Sequence, residues 1–296
     1  MLFSIITPAF NRPDTLLRTY QSLQVQTYKD FEWLIIDDST TDEVENEVKA
    51  WLLETQFKLR YQRQVNSGKH IAHNHGVKLA EGELTILLDD DDTLVPEALE
   101  RYAFHWQSML ESERKTFCGI AALCVNRETG KVLGGEFPED IFDSDTIEIS
   151  YVYDYGDDRQ SALRTDVLGQ FLFPSFGEEK YVTESLVWNR VAQHYKTRFI
   201  NEVLCVKEYR MTKSIHKHLA RSPNATATYY HELLDLAYPF STVRRLKFNV
   251  NYVRYSLHAH HAIRQILKTG SRNPLYRFPG FALGSLMFLY DKAKFI

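Results

Sequence analysis

Apolar and polar positions alternate in blocks along the first hundred residues, and the blocks change period. Phe3–Thr7 is a short apolar run stopped by Pro8. Asp14–Gln26 then sets Leu16, Leu17, Tyr20 and Leu23 on one face at helical spacing. Phe31–Ile36 is a second apolar run, closed by Asp37-Asp38. A helix is expected beyond it to about Glu54, with Ser39 or Thr41 as its cap. Lys58–Gln64 alternates at a strand's period, Lys69–Ala80 returns to helical spacing, and Glu81-Gly82 breaks it. Leu84–Leu88 is wholly apolar and runs into four aspartates, after which Pro96 is placed to open another helix at its first turn. Strands alternating with helices in this way predict an α/β fold: a mostly parallel central sheet flanked by helices, Rossmann-like.

The middle of the chain is less regular. Gly119–Val125 predicts a buried strand, and residues 126–160, polar, acidic and aromatic, predict loops or short edge strands. Glu184–Tyr195 has helical spacing through Leu186, Val187, Val191 and Tyr195, and Arg198–Lys207 alternates like a strand. Beyond Met211 the segments are helical, basic and aromatic. The expected division is an α/β body over residues 1–210 and a helical C-terminal region over residues 211–296.

Composition adds two facts. The 296 residues are 44% hydrophobic and 25% charged, which fits a globular protein and excludes a disordered chain or a disulfide scaffold. The net charge of −4 hides an asymmetry: residues 211–296 hold 13 Lys+Arg against 3 Asp+Glu, and the first 210 residues hold 22 against 36. An acidic body with a basic tail suggests two different partners. Cys118, Cys124 and Cys205 lack the paired spacing of a disulfide framework or a zinc site, so a reducing compartment is expected. His70, His73 and His75 also lack zinc spacing. The opening stretch has no basic leader and does not read as a signal peptide. The longest apolar segment, Phe278–Tyr290, is broken by Pro279, Gly280 and Gly284 and is too short to span a bilayer. The expected location is cytoplasmic, with the cytoplasmic face of a membrane left open.

The chemistry concentrates in Asp89-Asp90-Asp91-Asp92. Four adjacent carboxylates repel one another. They follow directly on a buried-type strand, and open α/β sheets bind ligands at the carboxyl ends of their strands. Asp89 and Asp91 can face one cavity while Asp90 faces elsewhere. Oxygen donors so placed suit Mg²⁺ or Mn²⁺; a solvated acidic turn is the alternative. Asp37-Asp38 also closes an apolar run, either as a helix cap or as a carboxylate that recognises ligand NH and OH groups.

These residues resemble family 2 glycosyltransferases with the GT-A fold. Ile5-Ile6-Thr7-Pro8-Ala9-Phe10-Asn11-Arg12 is similar to the family's opening strand, and Ile35-Ile36-Asp37-Asp38-Ser39-Thr40-Thr41-Asp42 to its V-D-D-G-S-T-D. Asn66-Ser67-Gly68-Lys69, with Ala72, Asn74 and Gly76, is similar to its N-x-G-K and A-x-N-x-G segment, and Leu88-Asp89-Asp90-Asp91-Asp92 to its L-D-S-D-D. Four pieces in order make the likeness specific; it covers residues 1–210 and fades beyond them. The glycine of the second piece is missing, which alters a turn.

The resemblance implies an inverting transferase of a nucleotide-diphosphate sugar, a UDP-sugar most often, with residues 1–210 as donor-binding and catalytic domain. Thr7, Pro8 and Arg12 are then expected near the nucleotide, Asp38 at the base, and Lys69 and Asn74 at the base and ribose. Asp91 is expected on a divalent metal (Mn or Mg) with Asp89, which also nears the ribose, and Asp90 counts with the nucleotide-binding set. Where the family has E-D ahead of an arginine, this chain has Thr183-Glu184 ahead of Arg190, which makes Glu184 the expected general base, with Glu178 and Glu179 behind it. Glu184 is also placed to stabilise a helix N-terminus. Arg210 and His216 are expected contacts of a loop over the pyrophosphate. The acceptor is a saccharide or lipid-linked saccharide, with cell-surface polysaccharide or lipopolysaccharide assembly as the setting.

In the tail, 13 aromatic residues accompany the basic ones, and Tyr252, Tyr255, Phe278 and Tyr290 are examples. They fit peripheral membrane contact and equally fit packing onto the body, while no recognition motif supports nucleic acid. The other readings are a catalytically inactive sugar-nucleotide or membrane-surface binding module, and a nucleotidyltransferase. The last would need a glycine-rich phosphate loop, which Thr7–Pro13 lacks.

Overall fold

In the computed structural model, which describes residues 1–155, 158–208, 219, 221–271 and 273–295, the expected alternation is present. β1 (Phe3–Ala9), α1 (Pro13–Gln24), β2 (Phe31–Asp37), α2 (Glu43–Glu54), β3 (Lys58–Arg63), α3 (Lys69–Leu79) and β4 (Leu84–Leu87) follow one another. Then come β5 (Thr93–Leu94), α4 (Ala98–Gln107), α5 (Glu111–Arg114), β6 (Phe117–Asn126), β7 (Ile141–Ser144), α6 (Thr146–Tyr151), β8 (Arg159–Arg164), α7 (Thr165–Gln170), α8 (Ser185–Ala192) and β9 (Lys196–Lys207). The chain separates into two units: Met1–Phe173 with Val187–Met211, and Pro174–Leu186 with Thr212–Ile296.

The first unit is built on a nine-stranded sheet ordered β3-β2-β1-β4-β8-β6-β9-β5, with β7 on β9. Strands β3, β2, β1 and β4 are mutually parallel, so their carboxyl ends share one edge. β1 and β2 are buried almost throughout, which is why they read as continuous apolar runs. Under them Tyr20 stacks on Trp51 at 4.6 Å and on Trp33 at 6.0 Å, which holds α1 and α2 to β2.

Three expectations need correction. Neither Ser39 nor Thr41 caps α2: Asp42 holds the N-cap position without a side-chain capping bond, its carboxylate being paired with Arg63, and Ser39 Oγ accepts the Asn11 N–H. Pro96 stands ahead of α4, whose N-cap is Glu97. Residues 126–160 contain not only the short strand β7 but also α6, capped by Asp145 from the Glu148 N–H, and the start of β8. β8 is an antiparallel strand between β4 and β6, deep in the sheet. Its residues Arg-Gln-Ser-Ala-Leu-Arg offer too little apolar signal for such a place.

β6 meets β8 at Gly119, where φ is +150° and a Cβ would lie 2.1 Å from the Ala162 carbonyl oxygen. Only glycine permits this approach.

The second unit carries four helices among its described residues: α9 (Pro223–Asp235), α10 (Thr242–His258), α11 (Ile263–Thr269) and α12 (Pro274–Phe295). α10 packs against both α9 and α12. Glu179 accepts the Asn224 and Ala225 N–H groups at 2.9 Å each and so closes the first turn of α9. Tyr252, Val253 and Ile266 form a small core.

Gly119→Ala is expected to destabilise the first unit by about 2–4 kcal/mol, from strain at φ and collision with a neighbouring backbone. Urea unfolding followed by tryptophan fluorescence measures it.

Candidate functional site

Three loops meet beyond the carboxyl ends of β1, β2 and β4. After β1, Asn11 sits in the left-handed region at φ 52°, a conformation asparagine tolerates. Its side chain donates to Thr40 Oγ1 at 2.9 Å and accepts the Thr40 N–H at 3.0 Å, which joins the β1 loop to the β2 loop. This turn sends Arg12 across to the aspartates: its guanidinium donates to Asp91 Oδ2 at 2.6 Å and to Asp90 Oδ1.

After β2, the two aspartates do different work. Asp37 is fully buried, accepting the Ser39 N–H at 2.9 Å and the Tyr61 hydroxyl at 2.6 Å. The Tyr61 phenol is raised by burial and by that carboxylate. Asp38 accepts from Gln64 Nε2 (2.9 Å), the Ser67 N–H (2.7 Å), Asn66 Nδ2 (3.2 Å) and the Gly68 N–H (2.9 Å). Its carboxylate therefore shapes the Asn66-Ser67-Gly68 turn that leads into α3.

After β4, the four aspartates split by exposure. Asp89 and Asp91 side chains are 32% and 23% exposed, against 1% for Asp90 and 5% for Asp92. Each has a cation. Lys69, at the start of α3, reaches Asp89 at 2.6 Å, Arg12 takes Asp90 and Asp91, and Lys207, at the end of β9, reaches Asp92 at 2.8 Å. Burial would raise Asp89, but Lys69 and Lys207 outweigh it and hold its carboxyl well below the usual range. Burial, only partly offset by Arg12, pushes Asp90 up to about 7. Asp92 is raised for the same reason against the pull of Lys207. Burial alone would lower Arg12, yet the aspartates raise it.

The scaffold holds this turn from several sides. Gln160 of β8 donates to the Leu87 carbonyl at 2.8 Å, Thr19 of α1 donates to the Asp92 carbonyl at 2.8 Å, and the Glu208 N–H donates to Asp92 Oδ1 at 3.2 Å. Among the described residues, Asp89, Asp91 and Asp92 each offer an oxygen within 4.8 Å of the others. Three hard oxygen donors fit Mg²⁺ or Mn²⁺, and no histidine belongs to the set.

The structure thus brings Arg12, Lys69, Asp89 and Asp91 together. Asp90 is a correction: it faces inward and offers no open surface to a nucleotide. Thr7 is likewise buried, with its hydroxyl accepting the Trp33 indole N–H at 2.9 Å, while Pro8 is half-buried at the end of β1. Asn74 exchanges two 2.8 Å bonds with the Phe173 backbone and fastens α3 to that segment. Glu184 stands one residue before α8, in the segment assigned to the second unit. Glu179 is committed to the α9 cap and Glu178 is exposed. Arg210 and His216 lie outside the described residues. Asp92, Lys207 and Gln160 join the site without a place in the sequence expectation. The fourth aspartate was visible, and so was a lone lysine closing the apolar strand Val203-Leu204-Cys205-Val206, but nothing in the sequence paired them.

Residues 4–110 match the family described as Glycosyl transferase family 2. They are a family 2 glycosyltransferase domain. An uncharacterized glycosyltransferase of Rickettsia felis is 35% identical to the chain over 97 residues, which is 33% of this chain and 16% of that protein. The chain therefore spans only a small part of that relative. The GalNAc(5)-diNAcBac-PP-undecaprenol beta-1,3-glucosyltransferase of Campylobacter jejuni is 26% identical over 246 residues, covering 79% of this chain and 73% of the relative. The fold is similar to that of S. aureus TarS 1-349 in complex with UDP-GlcNAc, with a TM-score of 0.64 and 17% identity over 98% of this chain and 81% of that one. The family 2 match thus ends just beyond the aspartate turn and α4, while the sheet continues to β9, and the fold is of the GT-A type.

Lys207→Met leaves Asp92 buried without its cation and is expected to lower stability by about 3 kcal/mol at neutral pH. A protonated Asp92 needs no cation, so the deficit should be larger at pH 8 than at pH 5, on the linkage between protonation and folding. Urea unfolding at both pH values checks magnitude and sign.

Proposed function

We propose that the protein is a metal-dependent, inverting glycosyltransferase that moves a sugar from a nucleotide-diphosphate sugar, UDP-sugar before others, to an acceptor hydroxyl. The observation that carries this reading is the two-in, two-out aspartate turn at the edge shared by Arg12 and the Asp38-held loop. The donor's base and ribose would lie along that loop, beside Lys69. Asp89 and Asp91, with Asp92 behind them, would hold Mn²⁺ or Mg²⁺, which offsets charge on the departing diphosphate. Arg12 and Lys69 supply further positive charge where the phosphates would sit.

Inversion requires one displacement. The acceptor oxygen forms its bond to the sugar C1 as the C1–O bond to phosphate breaks, and the acceptor's proton passes to a base. We assign that base to Glu184, which stands just ahead of α8. The nucleotide-sugar in the TarS complex and the polyprenol-linked saccharide in the Campylobacter jejuni relative's name support a UDP-sugar donor and a saccharide or lipid-linked saccharide acceptor. Cell-surface polysaccharide or lipopolysaccharide assembly is the matching setting. On this reading residues 1–210 carry donor binding and catalysis, and residues 211–296 serve a different partner.

UDP with Mn²⁺ is expected to raise the melting temperature, because a ligand that binds only the folded state stabilises it. EDTA or Asp91→Ala should remove the shift. A shift with GDP alone would redirect the donor, and no shift with any nucleotide and metal would overturn the reading.

Glu184→Gln should keep the UDP shift while turnover, read as UDP release with a sugar-nucleotide panel, falls by about 10²–10⁴-fold. Unchanged turnover would remove Glu184 from the mechanism, and a wild-type protein that binds UDP without turnover on any acceptor would favour a binding module.

A further inference from the structure

α12 is built inside out. Its inner side is closed by α10: a Cβ on Gly280 would meet Asn249 Nδ2 at 2.1 Å, and one on Gly284 would meet the Val250 carbonyl oxygen at 2.6 Å. Lower on the same side Asp291 is buried, paired with Arg254 through two 2.6 Å bonds and with His258 Nε2 at 2.9 Å. The one acidic group of the helix therefore faces inward. Outward stand Leu275 (73% exposed), Phe278 (66%), Leu283 (45%), Leu286 (62%), Leu289 (59%) and Tyr290 (57%). At 3.6 residues per turn these six fall within an arc of about 140° that contains no charged residue. Lys292 and Lys294, both exposed, flank the arc on its two sides. A helix that faces water carries polar residues on its outer face, and this one presents an apolar arc there with lysines only at its margins.

We infer that α12 is a membrane-docking helix that lies flat on an anionic lipid surface, its apolar arc at the boundary of headgroups and acyl chains. Charge selects this occupant. The residues from Met211 onward carry 13 basic side chains against 3 acidic ones. A second copy packed in parallel through α12 would bring Lys292 and Lys294 against their own equivalents, and an antiparallel one would leave them without a counter-charge, whereas anionic headgroups neutralise them. Arg264 and Lys268 are exposed on α11, which α12 holds through the Arg277 guanidinium on the Leu267 carbonyl. Among the described residues no helix is long and apolar enough to cross a membrane, which fits a helix in the plane of the surface. The inference needs only the helical unit and does not depend on the transferase reading, to which it adds a surface where a lipid-linked acceptor would be met.

The test is co-sedimentation of the full chain with vesicles of phosphatidylcholine alone and of phosphatidylcholine with about one third phosphatidylglycerol, at low and high salt. The wild type should partition to the anionic vesicles, less so at high salt. Leu286→Glu with Leu289→Glu should weaken partitioning by about tenfold or more, and Lys292→Glu with Lys294→Glu should remove the preference for anionic lipid. All four positions are exposed, so melting temperature and the response to UDP with Mn²⁺ should stay unchanged and report intact folding. The inference fails if the wild type ignores anionic vesicles, if the leucine variant binds them equally, or if sedimentation velocity shows a dimer that the leucine variant abolishes. Vesicle binding without any nucleotide response would overturn the transferase reading and leave this one standing.

Discussion

Four consecutive carboxylates at the end of a buried strand set the terms for the rest of the first unit. They cannot all face water, because Leu88 and Leu94 on either side are anchored in the core. They cannot all be buried, because a buried carboxylate needs a cation or a proton. The chain resolves this by alternation. Asp90 and Asp92 turn in, and each meets a cation brought from a distant element, Arg12 from the β1 loop and Lys207 from the end of β9. The sheet order makes this possible: β1 is next to β4, while β5 returns the aspartate turn to β9, pairing Thr93 with Val206 and Leu94 with Cys205.

What was legible in the sequence follows from the same logic. The parallel half of the sheet shows as apolar runs because β1, β2 and β4 are covered on both faces, and the outward pair Asp89 and Asp91 could be read from alternation. β8 could not be read. Its flanking Arg159 and Arg164 point to a surface strand, yet its place is fixed by neighbours far away in sequence, through Gly119 on one side and β4 on the other. The Lys207–Asp92 pair was hidden for a related reason: 115 positions separate its partners, and no local pattern announces such a bond. Asn74 and Asp38 show the converse. Both belong to recognisable motifs, but their side chains bond other groups of this chain, the Phe173 backbone for Asn74 and two side chains and two backbone N–H groups for Asp38, so a motif position can also shape a loop.

The C-terminal region divides what composition had left undivided. Tyr252 and Tyr255 are buried on α10, where they pack the helices together. Phe278 and Tyr290 are exposed on α12. Packing and an exposed apolar face are therefore both present, on different helices, and only burial separates them. The small residues of α12 explain the geometry: Gly280 and Gly284 let α10 come close along one side of the helix, Phe281 and Phe288 pack beside them, and the leucines with Phe278 and Tyr290 are left outward.

The cations of the aspartate turn differ in how firmly they are held. Lys207 is 17% exposed and ends a sheet strand, and Asp92 also accepts the Glu208 N–H. Arg12 and Lys69 are 50% and 44% exposed, and their partners Asp91 and Asp89 are the outward carboxylates. Ion pairs open to solvent are held less firmly than buried ones, so the Arg12–Asp91 and Lys69–Asp89 bonds are the exchangeable ones, while Arg12 also keeps the buried Asp90 paired. On the proposed function, a divalent ion approaching Asp89 and Asp91 displaces only such pairs, while the Lys207–Asp92 bond keeps the turn in shape. The Arg12 guanidinium, still bonded to Asp90, and the freed Lys69 ammonium remain beside the place where a diphosphate would arrive. One run of four aspartates thereby supplies both a fixed support and an exchangeable face, and the difference between them is set by burial alone.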